Sequence, residues 1–114
     1  MEGLRMNEFN IYFSDDSELA EYEATNKGYR TDVYVKIGRN IFNLNIYAMI
    51  RLQQDFESEL ESYGFYASEP NLVLVKDANK PEIIETIKKL YDQKYFESVK
   101  PVEHIETSKL VKVD

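Results

Sequence analysis

At 114 residues the chain is one domain's worth, too short for a two-lobed enzyme with a cleft between its halves. Hydrophobic residues at 43% and aromatics at 13% place it among globular proteins, while the absence of cysteine removes disulfides, thiolate metal sites and cysteine nucleophiles together. A net charge of −7 opposes duplex DNA and anionic membranes, both of which are bound through Lys and Arg.

Residues 8–13 (EFNIYF) alternate, with Phe9, Ile11 and Phe13 on one face, and predict a first strand. Ser14-Asp15-Asp16-Ser17-Glu18 supplies N-cap candidates, among which Asp15 followed by Glu18 has capping-box spacing, and predicts a short helix near Leu19 and Tyr22, with Ala24 to Tyr29 as a loop. Thr31–Ile37 and Ile41–Tyr47 form the clearest pair. Val33, Val35 and Ile37 share one face, as do Phe42, Leu44 and Ile46, and Gly38-Arg39-Asn40 is the expected three-residue hairpin loop. The outward positions include Tyr34, Asn43, Asn45 and Tyr47, so this sheet has a face capable of recognition.

From Ile50 to Tyr63 the period changes to about 3.6. Leu52, Phe56, Leu60 and Tyr63 then share one face, expected to be buried, and Asp55, Glu57, Glu59 and Glu61 make the exposed face anionic. After the Ser68-Glu69-Pro70 break, Asn71–Lys76 (NLVLVK) reads as a central strand. Asn79, Pro81 and Glu82 open a further helix whose stripe is Ile83, Ile84, Ile87, Leu90 and Tyr91. Residues 98–114 are expected to be a less ordered tail or a short edge strand. The sum is an α+β fold: one compact domain over 1–114, a mostly antiparallel sheet and helices packed on one face.

No motif carries chemistry. The single histidine, His104, has no nucleophile-elbow serine near it, and the four glycines never fall in G-x-G spacing. Asp15, Asp16 and Glu18 lack the spacing of a calcium loop. Hence no catalytic residue, metal or cofactor is expected. With no apolar run near the ~18 residues of a membrane span and no basic leader before one, the expected setting is the cytoplasm, with no membrane and no direct nucleic acid.

The charge is segregated. Residues 1–75 hold six basic groups against thirteen acids, and residues 76–114 hold eight of each. Asp15, Asp16, Glu18, Glu21 and Glu23, together with Asp55, Glu59 and Glu61, are therefore the candidate surface for a basic protein partner, and Tyr34, Asn43, Asn45 and Tyr47 are the second candidate.

Ile37-Gly38 ending a strand, the alternation Phe42, Leu44, Ile46, then Leu52, and Leu72-Val73-Val75 before Ile83-Ile84-Ile87 carry a resemblance over roughly residues 9–96. The chain resembles the small α+β immunity proteins that bacteria encode beside polymorphic toxins, above all immunity protein family eight. That group tends to have Trp-Leu after the hairpin, where this chain has Arg51-Leu52. The resemblance implies a non-enzymatic protein that binds and neutralises a cognate toxin domain, and it transfers no catalytic residues. Another acidic interaction module, such as a regulatory subunit or a nucleic-acid mimic, is the alternative. A small enzyme or ligand-binding domain is a third, and would need a concave pocket.

Overall fold

The alternation in residues 9–13, 29–37 and 40–48 builds the middle of a five-stranded sheet. A computed structural model describes residues 9–67 and 70–114, so Glu8, Ser68 and Glu69 lie outside the described residues. In chain order the elements are β1 (Phe9–Phe13), α1 (Glu18–Lys27), β2 (Tyr29–Ile37), β3 (Asn40–Ala48), α2 (Met49–Tyr63), β4 (Leu72–Val75), α3 (Lys80–Asp92) and β5 (Val111–Lys112). The sheet order is β4-β3-β2-β1-β5. Every pairing is antiparallel except β3 with β4, which α2 joins as a parallel crossover. The fold is α+β as expected, with a mixed sheet.

One face of this sheet is the core. Phe9, Ile11, Phe13, Val33, Val35, Phe42, Leu44 and Ile46 are buried there against Ile83 and Ile87 of α3 and against Phe96. Helix α3 forms where expected: the Asn79 side chain accepts from the Glu82 N–H at 2.9 Å, and Pro81 sits in the first turn.

The hairpin turn is tighter than predicted. Ile37 pairs with Asn40, so only Gly38 and Arg39 connect the strands. Gly38 has φ 61° while Arg39 does not adopt positive φ, the pattern of a two-residue turn that puts Gly first. The strand also begins earlier than Thr31. Arg30 pairs with Ile46 and Val33 with Leu44, so a β-bulge at Thr31-Asp32 inserts one residue and turns Arg30 to the core side. Its guanidinium lies 3.9 Å from the centroid of the Phe13 ring.

Three further expectations are corrected. The N-cap of α1 is Ser17, whose hydroxyl oxygen accepts from the Ala20 N–H at 3.1 Å. Asp15 instead accepts from the Ser17 N–H at 2.9 Å, a local Asx turn that delivers Ser17 to the cap position. The predicted loop from Ala24 is helix as far as Lys27, where Gly28 at φ 80° ends it and its N–H donates to the Ala24 carbonyl. The NLVLVK run is an edge strand, not a central one: Val75 is buried in the core, whereas Leu74 points to the other side and is exposed.

Residues 98–114 supply the opposite edge. Val102 bridges to Ile41 beside β3, and the chain then returns to lay β5 along β1, with Asp114 Oδ1 accepting from the Ile11 N–H at 3.0 Å. Among the described residues no helix is long and apolar enough to cross a membrane.

Candidate functional site

Helix α2 begins directly from β3, with no side-chain cap at Ala48 and no acid in its first turn. At about 100° per residue, Met49, Leu52, Phe56, Leu60 and Tyr63 fall on one stripe. The structure leaves all of it but the half-buried Leu52 exposed. Met49 is 55% exposed, Phe56 46%, Leu60 40% and Tyr63 71%, and no residue of the helix is fully buried. The expectation of a buried aromatic stripe is therefore overturned.

The reason lies in what the helix turns inward. Arg51, Asp55 and Glu59 are half-buried, with Leu52 the one apolar residue among them. Arg51 Nε donates to Asp55 Oδ1 at 3.0 Å, and its guanidinium stands over the Tyr29 ring at 5.0 Å. Tyr29 in turn stacks on buried Tyr47 at 5.4 Å. Asp55, Ser58 and Glu59 enclose, with Tyr47 and Tyr66, a cavity of about 320 Å³. Helix α2 thus rests on a polar flank, and its apolar stripe is left facing outward. Glu57 and Glu61 are exposed along one border of the stripe and Glu59 lies along the other, while Arg51, the only cation of the helix, is already paired. Leu74 and Phe65 add apolar surface from the segments after the helix.

The first acidic cluster is placed differently. Asp16 binds the Lys80 ammonium at 2.9 Å. Glu21 reaches Arg30 at 3.5 Å and accepts from the Lys80 N–H at 2.8 Å. Asp15 holds the cap turn, and its carbonyl accepts from Arg30 Nη2. The Ser17 N–H and hydroxyl beside it, with a smaller contribution from Arg30, hold the Asp15 carboxyl below the usual carboxylate range. Buried Arg30 also takes Asp32 at 2.8 Å. Three of the five acids therefore fasten α1 to β2 and α3, and Glu18 and Glu23 are left exposed on the surface.

On the sheet, Tyr34 is half-buried, paired across the strands with Tyr12 and Asn43. Asn43 Nδ2 donates to the carbonyls of Thr31 and Val33 at 3.0 and 3.1 Å, which satisfies the bulge. Buried Asn45 donates to the Pro70 carbonyl at 2.8 Å and so ties the edge strand to β3. These two asparagines, unfavourable in strands by propensity, are accounted for by the bulge and the edge. His104 is exposed, and among the described residues no group of three or more His, Asp or Glu side chains is arranged to hold a metal ion.

Of the three predicted acids of α2, the structure leaves Glu61 exposed beside the apolar stripe, places Glu59 half-buried on its other border, and turns Asp55 inward to Arg51. Phe56, Leu60 and Tyr63 are legible as a helical face but not as an exposed one; Met49 extends that face by the same period, and Leu74, on β4, carries no such signal. Comparison with family models, with curated proteins and with solved structures finds no match to the chain.

Proposed function

We propose that this protein is a non-enzymatic binding module whose α2 face docks a basic protein partner. The observation that carries the reading is the exposed stripe of Met49, Phe56, Leu60 and Tyr63, bordered by Glu57, Glu59 and Glu61 with no free cation on the helix. An amphipathic helix that leaves its apolar face in water is a standard docking element, and it is read by a groove through residues spaced three and four apart. The apolar stripe supplies affinity; the carboxylates supply steering and select a partner with a basic rim. A second copy of the chain is disfavoured, because apposing two such faces brings Glu57 and Glu61 against their own equivalents. The resemblance to immunity proteins makes a toxin domain the partner of choice, neutralised by being covered, and the cysteine-free composition suits the reducing cytoplasm.

The test is capture from an extract of the source cells with three baits: the full chain, L60D/Y63D, and E57Q/E61Q. A basic protein retained by the first, lost from the second and bound more slowly by the third, with an association rate that falls as salt rises, supports the assignment. The same protein retained equally by all three baits refutes it.

A further inference from the structure

At the end of β3 remote from α2 lies a cavity of about 690 Å³, inside the size range of small-molecule sites. Its walls are apolar and aromatic: Phe42 and Phe96, 5.2 Å apart between ring centroids, with Tyr91 and Val99 beside them. Phe42 and Phe96 are buried, so the floor is fixed by the core and does not depend on surface side chains. The rim is polar. Asp92, Lys94 and Glu97 are all exposed there, and none of the three forms an ion pair among the described residues.

Two features set the sign of the charge this cavity favours. Asp92 is the last residue of the thirteen-residue helix α3, so the rim lies at the negative end of that helix dipole. Asp92 and Glu97 add two carboxylates against the single ammonium of Lys94. Lys94 itself is held in the left-handed region at φ 61°, with its N–H donating to the Tyr91 carbonyl at 3.0 Å, and this turn brings Phe96 back under the cavity.

We infer that this cavity binds a small organic cation with an apolar body, of the arylalkylammonium type, lodged against half-buried Tyr91 and Val99 above the buried pair of Phe42 and Phe96, with its ammonium toward Asp92 and Glu97. The site is separate from α2 and stands or falls independently of the docking role.

The experiment titrates the isotope-labelled full chain with three molecules of nearly the same shape: phenethylamine, phenethyl alcohol and phenylacetate, each to about 10 mM, the weak end for ligands of this size. The expected result is saturable movement of the Asn40, Phe96 and Val99 amide signals with the amine binding about tenfold tighter than phenylacetate and the alcohol between them. D92N/E97Q changes exposed groups only, and is expected to narrow the amine-to-carboxylate ratio to about threefold or less while the remaining spectrum stays that of the native protein. No saturable movement of those amides with any of the three molecules overturns the inference. So does a carboxylate that binds as tightly as the amine, or a ratio unchanged in D92N/E97Q.

Discussion

Replacing Phe56 and Tyr63 together by Gln removes both aromatic rings of the α2 stripe while keeping a good helix former at each position. Full burial of a Phe side chain contributes about 1.5–3 kcal/mol. Phe56 remains 46% exposed, so roughly half of that, about 1 kcal/mol, is at stake. Its edge-to-face contact with Tyr66, at 6.3 Å, adds about 0.5 kcal/mol. Tyr63, 71% exposed, contributes about 0.5 kcal/mol or less. The two positions lie two turns apart, about 10 Å, so their effects should add. Better helix propensity returns a few tenths of a kcal/mol, and the expected loss is about 1.5 kcal/mol. Urea unfolding followed by far-ultraviolet circular dichroism measures it, with the slope against urea unchanged. Two buried aromatics would cost about 6 kcal/mol or more. A loss above about 3 kcal/mol, or one that changes with protein concentration, would show that the stripe is covered in the free protein and would refute the docking assignment.

Two other perturbations probe the frame. Leu44→Ala, at a fully buried position paired with Val33, should cost about 2–5 kcal/mol by the same assay; a change under about 0.5 kcal/mol would mean that the faces of β3 are assigned backwards. Ser17→Ala removes the α1 cap and should cost about 1 kcal/mol. Because Asp15 is depressed when folded, its contribution is present above the ordinary carboxylate range and lost as pH falls through its folded value. In the Ser17 variant the Asp15 carboxyl should titrate closer to its ordinary value, and the acid-side loss should shrink, which carboxyl titration by NMR checks.

Most of the sheet was legible because strands β1, β2 and β3 each bury one face, and a buried face imposes strict alternation on Phe9-Ile11-Phe13, Val33-Val35 and Phe42-Leu44-Ile46. Helix α3 was legible because its cap, its Pro and its stripe agree. Arg30 was not, since a bulge shifts the alternation by one residue and no composition rule announces where a ladder takes an insertion. The orientation of α2 was hidden for another reason. A helical period reveals that an apolar face exists, but covering it needs a facing surface, and α3 already occupies the core face of the sheet. The edge position of β4 escaped likewise: LVLV carries apolar residues on both sides, the mark of a doubly covered strand, yet only one side meets the core.

The pairing of β5 with β1 has a consequence for synthesis. Phe13 is partnered by Val111, so the first strand keeps an unpaired edge until nearly a hundred more residues have been made. At about 5–20 residues per second that interval is on the order of 5–20 s. During it Phe9, Ile11 and Phe13 sit on a strand whose backbone groups are open along one side, which is the period of greatest exposure to wrong partners on the ribosome. Early pairing of β1 with β2, complete once Ile37 emerges, halves that hazard, and the two-residue strand β5 closes the remaining side once it is made.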